Sequence, residues 1–192
     1  LHLHDPSGRD QKLAVDTRST RRLTQRKFTN APRYLQDYSL HPEGHSLVLI
    51  VRGKLFVLGN WEGPVRQLGV RDGSVRYRLP RYAPDGNHLV VLCDAGGEEA
   101  FEVHPLHPGR SRRLKGLDTG RPLSVAMAPA GGMIAFTNHR HQVGVLRLKT
   151  KKLTWIDQSP SGRITGLSWS VDGRWLAYTR PQSQSSETSR IY

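Results

Sequence analysis

Cysteine is almost missing from this chain of 192 residues: Cys93 stands alone. A single thiol excludes an internal disulfide framework and any zinc site built on cysteines. It closes the run Leu89-Val90-Val91-Leu92-Cys93, so its expected role is that of a small buried hydrophobe rather than a reactive nucleophile. Long apolar runs are missing too, none reaching the roughly eighteen residues that a membrane span needs. The opening Leu1-His2-Leu3-His4-Asp5 lacks the basic start and apolar stretch of a secretory leader. Acidic residues are scarce, with 16 Asp and Glu against 29 Lys and Arg, a net charge of +13. That excess invites nucleic acid as a partner. The basic residues are scattered, however: Arg21-Arg22, Arg76 and Arg78, Arg112-Arg113 and Lys151-Lys152 fall in separate segments. No RNA-recognition aromatic motif or helix-turn-helix pattern accompanies them. An arginine-rich solvated surface is the expectation, with neither nucleic acid nor membrane as partner.

What the chain does hold is a repeat. His41-Pro42-Glu43-Gly44, Ala83-Pro84-Asp85-Gly86, Ala128-Pro129-Ala130-Gly131 and Ser170-Val171-Asp172-Gly173 each lead into an apolar run. Their glycines stand 42, 45 and 42 residues apart. A turn of this kind uses glycine because it tolerates positive φ. Four residues before each glycine is a large apolar side chain (Leu40, Tyr82, Met127, Trp169). Four after it is a small or β-branched one: Val48, Val90, Ala135, Ala177. A restricted volume at one place in every unit predicts close packing against a neighbouring layer.

Third and fourth strands follow in each unit, as in Lys54–Leu58 with Val65–Leu68, or Val143–Leu148 with Lys151–Ile156. Four short strands every 42 to 45 residues is the period of a β-propeller blade, and helical patterns are nearly absent. The fourth strands are the most basic, as suits an outer edge guarded by charge. The predicted fold is all-β: a β-propeller of four-stranded antiparallel blades in an incomplete ring, about four blades' worth. Residues 1–24 read as the second half of a preceding blade and 25–37 as a connector. Blades follow at 38–70, 80–116 and 124–157, and the first half of a further blade at 166–192. The frame predicts a larger parent ring, and a piece with two open halves that pairs its edges with each other or with a second copy.

The Pro-Asp-Gly turns resemble the repeats found in TolB and in the propellers of some peptidases. One family is more similar. Arg33-Tyr34-Leu35-Gln36-Asp37-Tyr38-Ser39-Leu40-His41-Pro42-Glu43-Gly44 and Arg52-Gly53-Lys54-Leu55-Phe56 resemble the second propeller of tricorn proteases and their bacterial homologues. Trp61-Glu62-Gly63-Pro64-Val65-Arg66-Gln67 and Asp94-Ala95-Gly96-Gly97-Glu98-Glu99-Ala100 follow in the same order. Ala130 and Val171 depart from the acidic and proline positions of the turn. The resemblance implies a large cytoplasmic serine peptidase, a homo-oligomer (hexameric in the family). Its second, seven-bladed propeller would form a peptide channel, and its catalytic serine and histidine would lie in a C-terminal core with no counterpart here. The implied partners are peptides and the remaining domains of the same polypeptide. Two other readings use the same blades: a stand-alone interaction scaffold of the TolB or WD40-like kind, and the propeller gate of a prolyl-oligopeptidase-type enzyme.

Within the chain no catalytic, cofactor or metal site is predicted. Gly166-Leu167-Ser168-Trp169-Ser170 fails the Gly-x-Ser-x-Gly elbow at its last position and opens a strand. His2 and His4, His104 and His107, and His139 and His141 are pairs without a completing Cys or Glu-x-x-His, and read as loop or surface histidines. Gly96-Gly97-Glu98-Glu99 lacks the lysine and helix of a phosphate loop. The candidates for peptide contact are His139, Arg140 and His141 in a hairpin loop, and the acids Glu98 and Glu99.

Overall fold

The computed structural model describes residues 2–8, 10–14, 30–183 and 189–192. The parts of the first-blade and connector assignments that fall on 15–29 lie outside these residues. Two compact units divide the chain, 1–30 and 31–192. In the first, β1 (His2–His4) pairs antiparallel with β2 (Asp10–Lys12). Their turn closes through the Gly8 amide donating to the Asp5 carbonyl at 2.8 Å, and His2 Nδ1 lies 3.1 Å from the Asp10 carboxylate.

The second unit opens on a 3₁₀ turn, Ala31–Tyr34, and among its described residues the regular elements that follow are all strands. Blade 1 runs β3 (Leu35–Leu40), β4 (Ser46–Val51), β5 (Lys54–Gly59), β6 (Arg66–Leu68). Blade 2 runs β7 (Tyr77–Tyr82), β8 (His88–Cys93), β9 (Ala100–Pro105), β10 (Arg112–Arg113). Blade 3 runs β11 (Pro122–Met127), β12 (Met133–Asn138), β13 (Gln142–Arg147), β14 (Lys152–Gln158). Blade 4 has three strands, β15 (Thr165–Trp169), β16 (Leu176–Pro181) and β17 (Ser189–Ile191). Every blade is an antiparallel meander in chain order. The first strands β3, β7, β11 and β15 lie next to one another, which makes them the innermost layer of a propeller. Among the described residues no helix is long and apolar enough to cross a membrane.

The turns explain the glycine period. The amides of Gly44, Gly86, Gly131 and Gly173 each donate to the carbonyl three residues earlier, at 2.8–3.0 Å, with φ between 65° and 76°. Successive turns also touch. His41 accepts from the Glu43 amide through Nδ1 (3.1 Å), so its Nε2–H donates to the Gly86 carbonyl of the next blade at 3.0 Å. A Cβ at Gly86 would stand 2.5 Å from His41 Nε2, whereas at Gly44 it would meet nothing within 4 Å. Gly44→Ala is therefore expected to cost about 1 kcal/mol from the left-handed backbone alone. Gly86→Ala should cost roughly twice that, because a buried ring and its hydrogen bond must move as well. Urea unfolding of both variants checks the ratio; equal losses would mean that the His41 clasp carries nothing.

Three apolar cores fill the spaces on either side of blades 2 and 3. Strand β8 shows how: Leu89, Val91 and Cys93 face blade 1, while Val90 and Leu92 face blade 3, all at most 1% exposed. An internal blade is buried on both sides, so its second strand reads as an unbroken apolar run. The small residues of the repeat sit in these layers, with Val48, Val90 and Ala135 at most 1% exposed and Ala177 half-buried. The corresponding large residues vary: Tyr82 is 5% exposed, but Leu40 is 58% exposed, on the face of blade 1 turned away from blade 2.

Candidate functional site

Each innermost strand breaks register once near its start, between Leu35 and Asp37, Arg78 and Arg81, Pro122 and Ser124, and Thr165 and Ser168. Such bulges bend a strand and re-aim its side chains. In β7 the bulge places Leu79 at φ 49°, the position that Gly166 occupies at φ 67° two blades on. Beyond it, Arg81 reaches both neighbours. Its Nη1 lies 3.3 Å from Asp37 Oδ2 on β3, and its Nε donates to the Val125 carbonyl on β11 at 3.0 Å. Trp169 repeats the link one blade later, its indole N–H donating to the Ala126 carbonyl at 3.2 Å. The inner wall is thus tied laterally by polar side chains.

The loops joining second to third strands, and those joining one blade to the next, gather at one end of the propeller. There, between blades 2 and 3, lies a cleft of about 890 Å³. Its blade 2 wall includes Asp94, Glu98 and Glu99, with Arg76 and Arg78 beside them; Asp118, Arg121, His139 and Arg140 lie opposite. Two ion pairs are built in. Arg78 Nη1 meets Glu99 Oε1 at 2.5 Å, both side chains 22% exposed, while Glu99 Oε2 is buried without a partner. Arg140 meets Asp118 at 2.7 Å. Hydrogen bonds from Arg140 and the Gly120 amide hold the Asp118 carboxyl below its usual range, and the same contact raises Arg140.

The loop of blade 3 is shaped by Asn138, which is 1% exposed. It donates to the Thr119 carbonyl (3.1 Å) and to Gln142 Oε1 (2.8 Å), and accepts from the Arg140 amide at 3.0 Å. His139 Nδ1 accepts from the Arg121 amide at 2.9 Å, which leaves Nε2 to carry the ring proton. Of the five candidate contacts, Glu98, Glu99, His139 and Arg140 line this one cleft; His141, at φ 58°, does not. Arg76, Arg121 and Asp118 were not singled out from sequence, because they lie in connectors outside the repeated turn and strands.

Other chemistry is poorly placed. His41, Glu43 and His45 bring three ligand-type side chains together, but both His41 nitrogens are already committed as described. Ser168 pairs on β15 opposite Ala177, in a strand with no elbow. Cys93 is fully buried, and burial together with its hydrogen bond to Glu102 (2.8 Å) pushes the thiol up to about 12. A thiol held protonated is no nucleophile. One reading is corrected. His104 belongs to β9 rather than to a surface loop, and is 5% exposed, with its ring edge-on to Tyr77.

Residues 35–192 match the family described as the tricorn protease second beta propeller domain. The chain belongs to the tricorn protease family. It is similar to tricorn protease homolog 1 of Streptomyces coelicolor, 35% identical over 158 residues that cover 79% of this chain and 15% of that protein. The crystal structure of the tricorn protease superposes over 99% of this chain and 18% of its own, with a TM-score of 0.75 at 16% identity. TolB from Agrobacterium tumefaciens shares the fold, with a TM-score of 0.64 at 19% identity over 82% of this chain and 56% of its own. The chain spans between 12% and 22% of the length of the curated tricorn relatives it matches.

Proposed function

We propose that this chain is a non-catalytic propeller segment of a tricorn-like serine peptidase, a cytoplasmic homo-oligomer, and forms part of a channel wall that guides or sieves peptides. The observation that carries the reading is the lateral bracing of the innermost layer, with Arg81 bridging β3 and β11 and Trp169 bridging β15 and β11. A wall that admits extended chain and rejects folded protein must keep its width, and these bonds resist splaying of the first strands. Sieving needs no reacting group, in keeping with a buried Cys93 thiol and a Ser168 outside any elbow. The stand-alone scaffold reading draws on the likeness to TolB, which at 19% identity carries the fold alone.

The test uses the full-length peptidase with Ser168→Cys, on the innermost strand β15, coupled to a polyethylene glycol maleimide. Turnover of peptides of ten or more residues should fall at least fivefold, while a dipeptide chromogenic substrate is cleaved as before. Equal turnover of long peptides by coupled and uncoupled enzyme would remove the channel role.

A further inference from the structure

From the cleft between blades 2 and 3 we infer a recognition site for short peptides carrying both free termini, an inference that rests on the channel reading above. After the two built-in ion pairs are set aside, charge of both signs is left over on facing walls. On the blade 2 side Glu98 is exposed, and Asp94 uses one oxygen for the Arg76 amide at 2.7 Å. The Glu99 carboxylate is committed through Oε1 to Arg78, with Oε2 buried behind it. On the opposite side Arg121 makes no ion pair among the described residues, and His139 offers its Nε2–H beside it. One wall accepts hydrogen bonds and the other donates them, the arrangement that a zwitterion satisfies at both ends. A simple anion would meet Glu98 and Asp94, and a simple cation would meet Arg121. The cleft volume of about 890 Å³ falls within the usual span of small-ligand sites.

The loops make such a site reproducible rather than incidental. The Glu98 carbonyl is fixed by Arg113 at 2.6 Å, and Asn138 holds the loop that carries His139 and Arg140. The ammonium end of the peptide lies toward Glu98 and Asp94, and its carboxylate toward Arg121 and His139. Arg76, exposed between the acids, limits how much net positive charge that wall attracts.

Trialanine, its N-acetyl form and its C-amide form are titrated into the ¹⁵N-labelled chain and followed by amide shifts. Trialanine should perturb residues 94–99 and 118–121. Acetylation or amidation should each weaken binding about tenfold, the order of one charge-assisted hydrogen bond. In Arg121→Ala the penalty for amidation should vanish while that for acetylation stays; in Glu98→Gln the reverse holds. Both positions are exposed, so loss of folding does not confuse the result. Binding at the innermost strands with no dependence on the termini would sink the cleft assignment and leave the channel reading standing. No shift anywhere, even at millimolar peptide, would overturn the cleft assignment. Inorganic phosphate competing with trialanine at equal concentration would replace the zwitterion by an anion and overturn the assignment.

Discussion

Phe136→Ala is expected to cost about 3–5 kcal/mol of stability, the usual range for truncating a fully buried aromatic side chain. The ring is 0% exposed and stands 5.4 Å from Phe101 of blade 2 and 5.6 Å from Trp155 of its own blade, centroid to centroid. Tilted and edge-on ring pairs at this spacing add attraction beyond their buried area. The same ring explains Gly144, where a Cβ would stand 2.9 Å from Phe136 Cζ and 3.0 Å from Trp155. Gly144→Ala should therefore destabilise the native chain by about 1–3 kcal/mol through overpacking, yet be neutral or favourable in Phe136→Ala, where space has opened. Urea unfolding of the two single variants and the double variant measures the coupling. A loss under about 1 kcal/mol for Phe136→Ala, or additive effects in the double variant, would mean that blades 2 and 3 are not held by this cluster. Because the cleft walls belong to those two blades, peptide affinity should fall with stability.

The legible part of the fold was what recurs. Gly44, Gly86, Gly131 and Gly173 gave the period, and Val48, Val90 and Ala135 marked where neighbouring layers touch. The ion pair of Arg81 with Asp37 joins residues 44 apart, two beyond the 42-residue spacing of Gly44 and Gly86, so it follows the same frame once the blades are known to be neighbours. Most of the cleft was not legible. Its pairs join positions unrelated by the repeat: Arg78 on β7 meets Glu99 in the β8–β9 loop of its own blade, and Arg140 meets Asp118 of the connector leading into blade 3. His104 on β9 was misread for a different reason. In Ala100-Phe101-Glu102-Val103-His104 the alternation reads as one face to the core and one to water. Both faces are buried here. Phe101 and Val103 pack toward blade 3, and Glu102 and His104 enter the layer against blade 1. Polar residues placed there need partners inside the protein.

That need sets the second large effect. Glu102, its side chain 9% exposed, takes the Cys93 thiol hydrogen bond through Oε2 at 2.8 Å. His104 Nε2 sits 3.1 Å from Oε1, off the line of a well-aligned hydrogen bond. Burial by itself would raise this carboxyl, but contacts with His104, Cys93 and Ser111 outweigh it and hold it at about 2 instead of 4.5. A carboxyl depressed on folding binds its proton more weakly in the native state, so its ionisation stabilises the fold above the unfolded value near 4.5. That contribution, about 3 kcal/mol from the size of the shift, is lost as pH falls from there through about 2. Glu102→Gln keeps the shape and removes the charge. It should be about 3 kcal/mol less stable at pH 7, and its deficit should shrink toward zero as the pH approaches 2. Glu102→Ala should lose at least as much, since it also strands the Cys93 thiol and the His104 ring in a closed layer. Urea unfolding of native chain and Glu102→Gln at pH 7, 5, 4 and 3 gives the difference directly. Parallel pH curves for the two would show that the carboxylate is not held ionised by its neighbours.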